Sequence, residues 1–275
     1  MSTHKAAALQ MNSSDDVTAN LREASKLMAK AAAQGAELLV LPENFALMAR
    51  NDAQRAAAGE LDGSGTIQDF LADKARNLRV WIVGGTVPAL AAEDKVYARC
   101  PVYNSDGERV AYYDKVHLFD VQVNAAGESY RESAGIAAGD RAVTVDTPFG
   151  TLGLSVCYDL RFPELYRALL AQGATLFTVP AAFTRTTGRE HWQLLNRTRA
   201  VENLAFVIAA AQTGTHASGR ETWGHSMIVD PWGEILAERA GEPGVVMAVI
   251  DTEQQTRLRT RFPVLQHQRL NSRGF

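Results

Sequence analysis

Three side chains far apart along the chain, Glu43, Lys115 and Cys157, carry the chemistry this sequence offers. Cys157 ends the apolar run LGLSV and is followed at once by Tyr158, Asp159 and Arg161, with Pro163 opening the next helix. Proline is tolerated in a first helical turn because an N–H there has no intrahelical acceptor. The thiol therefore falls at a strand-to-helix junction. It reads either as a small buried hydrophobe or as a nucleophile held at a cleft. Glu43 closes the run ELLVLPE, at the C-terminal end of a strand where α/β folds gather functional groups. Burial there is expected to raise its pKa and suit it to proton transfer; the alternative is a capping or ion-paired glutamate. Lys115, in DKVHLFD, follows a strand among aromatic and aliphatic neighbours. Beside a cysteine it favours the thiolate and can donate to a developing oxyanion. Otherwise its stem packs on apolar surface while the ammonium stays in water. His117 reads as a structural histidine, and none of the six histidines has metal-ligand spacing.

The elements that must position these groups follow from hydrophobic pattern. KAAALQM (5–11) reads as a first strand, 15–34 as a helix closed by Gly35, and ELLVLPE as a strand covered on both faces. A helix near 64–78 leads to VWIVGGTVP. Strands near 96–103 and 109–114 are joined by the turn signal NSDG. AVTVDTPFGTLGLSV then gives two strands around a Pro-Phe-Gly turn, followed by a helix over 162–172 and the strand TLFTVP. A helix over 188–203, the strand AFVIAAAQ, the hairpin HSMIVDPWGEILAE and the strand GVVMAVID complete the order. Strands alternating with helices and broken by hairpins predict an α/β fold of mixed sheets with helices outside. No linker or low-complexity tract interrupts the chain, so a single domain over 1–275 is expected. Both halves begin strand-helix-strand, a hint of pseudo-symmetry.

The 275 residues are 46% hydrophobic and carry a net charge of −3, enough apolar material for a large core. Dispersed Lys and Arg argue against a nucleic-acid or anionic-lipid surface. No run approaches the ~18 apolar residues of a membrane span, and no signal-peptide pattern opens the chain. Two cysteines without a CxxC suit a reducing compartment, and a cytoplasmic protein is expected. A serine hydrolase needs GxSxG, whereas GLSVC has cysteine at the final glycine. A dinucleotide enzyme needs GxGxxG, whereas IVGGTVP runs into Pro88.

Taken in order, LPENF with Glu43, DKVHLFD with Lys115 and CYDLRFPEL with Cys157 resemble the Glu-Lys-Cys triad of the nitrilase superfamily. GREHWQLLNRTRAVEN, AAQTG, GHSMIVDPWGE and RFPVLQHQR look like its amidase branch, the last three most like deaminated-glutathione amidases. The resemblance implies a four-layer αββα sandwich and cleavage of a small amide through a cysteine thioester, with no cofactor or metal. It implies Glu43 as base, Lys115 and the Tyr158 N–H as oxyanion donors, and a second glutamate. Glu132, in SYRES, fits that place best, with Glu128 keeping the alignment open. It further implies at least a homodimer, formed through helices near the nucleophile.

Acidic substrates need an arginine clamp, for which Arg161 and Arg185 are candidates, and Phe183 and Thr184 are expected to line the pocket. Arg161 could instead pair with Asp159 or Glu164, and Arg185 could be solvent-exposed. Arg199 and Glu202 read as an intrahelical pair. THASGRETWGH reads as a lid or an ordinary loop, and the tail from Thr252 as a segment that could cross to a second subunit. Within the branch the rival is an ω-amidase acting on α-ketoglutaramate-like acids. Outside enzymes, a redox-sensing thiol protein and a silent scaffold compete; neither explains why Glu43 and Lys115 accompany the cysteine.

Overall fold

The computed structural model describes residues 3–92, 95–123 and 128–270. Its first half comprises β1 (Thr3–Gln10), α1 (Val17–Ala33), β2 (Leu38–Val40), α2 (Asp52–Ala57), α3 (Thr66–Leu78) and β3 (Trp81–Val83). There follow β4 (Val87–Leu90), β5 (Val96–Tyr103), β6 (Arg109–Asp114), β7 (Asp120–Gln122), β8 (Ser129–Arg131) and β9 (Ile136–Ala137). The second half comprises β10 (Thr144–Thr147), β11 (Gly150–Leu154), α4 (Pro163–Ala171), β12 (Leu176–Ala181), α5 (Arg185–Asn203) and β13 (Phe206–Ala211). A small hairpin of β14 (Thr213–Thr215) and β15 (Glu221–Trp223) precedes β16 (Ser226–Val229), β17 (Ile235–Arg239), β18 (Gly244–Asp251) and α6 (Thr252–Arg261).

Two large sheets result. One runs β18-β1-β2-β3-β5-β4, with β6 and β9 also paired to β5; the other runs β10-β11-β12-β13-β16-β17. Each is built on a parallel triplet, β1/β2/β3 in the first and β11/β12/β13 in the second, so the strand-helix-strand openings of the two halves mark real counterparts. Alternation along β1 sorts its side chains. Ala6 and Ala8 join the core shared with the second sheet, while Ala7 and Leu9 join the core under α1 and α3. Leu38 and Val40 of β2 face the first core and Leu39 the second. On the far side α4 and α5 bury Leu165, Leu169, Trp192 and Ala200 against the second sheet. The order helix, sheet, sheet, helix is the expected αββα sandwich.

Near the C-terminus, α6 stays on its own chain through residue 261. The Gln255 side chain donates to the carbonyls of Thr175 and Leu204, and Arg259 donates to those of Leu204 and Asn203. The tail from Thr252 thus begins as a helix that three backbone carbonyls hold on its own chain. Among the described residues no helix is long and apolar enough to cross a membrane.

Candidate active site

Each of the three separated groups emerges where a strand stops. Beyond β2 the chain continues as Leu41-Pro42-Glu43, with the Leu41 N–H still bonded to Val83 O at 3.0 Å. The turn at Glu43 needs Gly85, because a Cβ there would stand 2.1 Å from Pro42 O. Lys115 follows β6 directly, and its N–H donates to Ala98 O at 3.2 Å. Beyond β11, Ser155 is tied to Thr178 O through both its N–H and its hydroxyl, Val156 stays extended, and the chain turns sharply at Cys157. Cys157 takes φ 50°, the left-handed region, and starts a tight 3-10 turn over Cys157–Arg161. A non-glycine residue held there stores strain of the sort found at functional sites. Asp159 N–H is the first to bond back, to Val156 O, so the Cys157 and Tyr158 amides lie ahead of the turn's own ladder.

The separated groups meet. Lys115 Nζ donates to Glu43 Oε1 at 2.8 Å and to both oxygens of Glu132 at 2.8 Å. Glu43 Oε2 accepts the Ala182 N–H at 2.9 Å, and Glu132 Oε2 also accepts the Phe119 N–H at 2.6 Å. The Cys157 thiol lies beside Glu43 and is buried, as are Glu43 and Lys115. Glu128 is engaged elsewhere, accepting from Tyr130 Oη and Thr186 Oγ1, so Glu132 is the second glutamate at the lysine.

The electrostatics correct the expectation for Glu43 and set an opposing pull beside that for Cys157. Burial pushes Glu43 up, as anticipated, but the Lys115 ammonium beside it, aided by hydrogen bonds from Lys115 and Cys157, leaves its pKa below the ordinary value. Glu43 is therefore a carboxylate ready to accept a proton. Cys157 moves the other way: burial and the Glu43 charge hold the thiol well above its ordinary value, and the lysine's opposing pull is too small to make a resting thiolate. Lys115 is raised, because two carboxylates outweigh its own burial. The resting site is thus ammonium, two carboxylates and a neutral thiol.

A cavity of about 150 Å³ opens above this cluster, with Tyr158, Phe183, Thr184 and Arg161 on its walls. Arg161 pairs with neither Asp159 nor Glu164. Its guanidinium lies over the rings of Tyr158 and Phe183 (5.8 and 5.2 Å) and meets His191 Nδ1 at 3.2 Å. Arg185 does not join the wall. As the first residue of α5 it is 66% exposed and lies 3.5 Å from Glu221, because the cap Thr184 turns the chain outward at that point.

Sequence reading passed over two other groups. Arg220, from the turn between β14 and β15, lines the cavity; only a bare arginine in a polar loop marked it. Asp159, fully buried, accepts from the His117 N–H (3.0 Å), the Val156 N–H (2.8 Å) and Tyr113 Oη (2.8 Å), and pairs with His117 Nδ1 (2.7 Å). Its place in an apolar run, CYDL, was the available signal. The stretch read as lid or loop is an anchored hairpin, with His216 bridging Ser13 O and Thr222 Oγ1. Arg199 and Glu202 do pair, at 2.7 Å, and Arg199 also donates twice to Leu160 O in the turn after the cysteine.

Comparison with known proteins agrees with this geometry. The family described as carbon-nitrogen hydrolase matches residues 5–260. A deaminated glutathione amidase of Synechocystis is 45% identical over 271 residues, 97% of this chain and 98% of that protein. The human omega-amidase NIT2 is 35% identical, covering 98% and 96%. Saccharomyces cerevisiae Nit3, described as a member of branch 10 of the nitrilase superfamily, superimposes with a TM-score of 0.87 at 32% identity, covering 99% of this chain and 97% of that one. With family, fold and cluster in agreement, the chain belongs to the carbon-nitrogen hydrolases of the nitrilase superfamily, as an amidase acting on carbon–nitrogen bonds other than peptide bonds.

Proposed function

We propose that Cys157 is the nucleophile of this amidase and that deaminated glutathione is its preferred substrate. An amide is a poor electrophile, so covalent catalysis divides one high barrier into two lower ones. As sulfur attacks the amide carbon, Glu43 takes the thiol proton. The oxyanion is held by the Lys115 ammonium and the Tyr158 N–H, each such preorganised donor being worth roughly 3 kcal/mol. Glu43 then protonates the leaving nitrogen, the C–N bond breaks, and an acyl thioester remains on Cys157. Water activated by Glu43 hydrolyses the thioester and restores the thiol, while Glu132 keeps Lys115 oriented.

One observation carries the reading: Glu43, Lys115, Glu132 and Cys157 converge in one buried cluster beneath a cavity. The substrate choice is supported by the 45% identical relative's name, and by Arg161, a half-buried guanidinium without a carboxylate partner among the described residues. The omega-amidase relative supports a runner-up, hydrolysis of α-ketoglutaramate-like monoamides. Comparing kcat/KM on deaminated glutathione and α-ketoglutaramate tests the choice. Preference for the first is expected, preference for the second selects the runner-up, and turnover of neither overturns both.

We further infer one catalytic unit over the whole chain, working in the cytoplasm as a homodimer. Two cysteines without a disulfide suit that compartment. Leu194 and Val201 on α5 and Trp232 in the β16–β17 turn are exposed apolar groups on the helix side next to the nucleophile turn, and support the dimer. Light scattering is expected to give twice the chain mass, and Leu194→Glu to reduce it to one.

A further inference from the structure

Resting on the reading of Glu43 as the proton donor to the leaving nitrogen, we propose that Arg220 is the residue that anchors the carboxylate carried by the leaving amine.

Arg220 and Arg161 both line the cavity but are carried by different segments. Arg161 sits on the same tight turn as Cys157, whereas Arg220 Nη2 donates to Ala182 O, and the Ala182 N–H in turn donates to Glu43 Oε2. One residue's peptide groups therefore separate the Arg220 guanidinium from the carboxylate that protonates the departing nitrogen. A substrate nitrogen must face Glu43 to receive that proton, and whatever the nitrogen carries then extends toward Ala182 and Arg220.

Arg220 is also equipped for an anion it does not yet meet. A guanidinium has five N–H donors and no acceptor. Its Nε is buried without a partner among the described residues, and no carboxylate of the described residues forms an ion pair with it. Leaving such a donor unmatched is costly, which argues for a ligand acceptor. The group is held in place as well. Its guanidinium stands 5.0 Å from the Tyr130 ring centre, and the hairpin that bears it is pinned by His216. A planar fork fixed at one edge of a cavity matches the two oxygens of a carboxylate.

Two amides of equal acyl chain test this, N-glutarylglycine, whose amine carries a carboxylate, and the monoethylamide of glutaric acid, whose amine does not. Calorimetric binding to Cys157→Ala protein is expected to favour the glycine amide about tenfold to a hundredfold. Adding Arg220→Met, or Arg220→Gln should that variant fold better, is expected to bring the ratio to within about twofold. Arg220→Lys keeps part of it, and Arg185→Met, outside the cavity, keeps all of it. Equal affinities in Cys157→Ala protein, binding of neither amide, or a preference that survives loss of Arg220 would each overturn the proposal. Failure of the parent reading looks different: the binding preference persists while the unmodified enzyme cleaves neither amide.

Discussion

Glu43 illustrates how a carboxylate stays ionised in an almost dry site. Its burial favours the neutral form, but an ammonium 2.8 Å away more than compensates. The sign of the pH dependence follows. Glu43 lies below its ordinary 4.5, so its contribution to stability is present above that pH and is lost as pH falls through the lowered value. Lys115 lies above its ordinary 10.5, so its contribution is present below that pH and is lost as pH rises through the raised value. The kcat/KM profile is expected to be flat between these limits, with its acid limb below 4.5; a midpoint near 6 to 7 contradicts the ion pair. Lys115→Met leaves two carboxylates against each other and is expected to cost roughly 3–5 kcal/mol in urea unfolding unless one takes a proton. In the sequence Glu43, Lys115 and Cys157 each stood at or just past a strand, an ambiguous signal singly, and it was their order, resembling a Glu-Lys-Cys triad, that joined them. The directions of their pKa shifts were not, since a shift depends on partners up to 114 positions away (from 43 to 157) that only the fold brings within reach.

The elements are locked to one another through Asp159. Its carboxylate collects donors from the Cys157 turn (Val156 N–H) and from the segment around Lys115 (Tyr113 Oη and His117), so one group fixes thiol and ammonium together. Removing it orphans several buried donors. Asp159→Ala is expected to lose about 3 kcal/mol or more of stability and to lower kcat more than it raises KM; Tyr113→Phe, which removes one donor, is expected to cost about 1 kcal/mol. Asp159→Ala with unchanged kcat would show that the turn holds itself. Strands 96–103 and 109–114 were legible to the residue, because alternation and an NSDG turn bound them. Helix α5 begins at Arg185, three residues before the expected 188, because the cap is Thr184 and Gly188 inside the first turn disguises it. That glycine is required by packing: a Cβ on Gly188 would stand 2.3 Å from the Trp223 side chain. The β7–β8 hairpin was missed, its strands being three residues each and half exposed.

At the scale of the molecule, two sheets built on similar parallel triplets pack face to face, and the strand ends deliver Glu43, Lys115 and Cys157 to one place. The sheets approach over small residues, with Ala6 and Ala8 of β1 in the same core as the alanines of β13. Ala8→Leu is expected to overpack this layer, lowering stability by about 1–3 kcal/mol on thermal unfolding. The layer order was foreseen from the alternation of elements and the family resemblance, but not the closure of the first sheet by β18, which pairs along all of β1. A strand's partner some 240 positions away leaves no local trace in its sequence.

The proposed chemistry requires a covalent bond at Cys157. Intact-mass spectrometry of a Glu43→Gln variant, quenched during exposure to a hydrolysable amide, is expected to show protein heavier by one acyl group, mapped to Cys157 and absent after Cys157→Ala, which itself keeps the fold and releases no amine. Amine release by Cys157→Ala at an undiminished rate, with no acyl adduct on the Glu43→Gln protein, would contradict it.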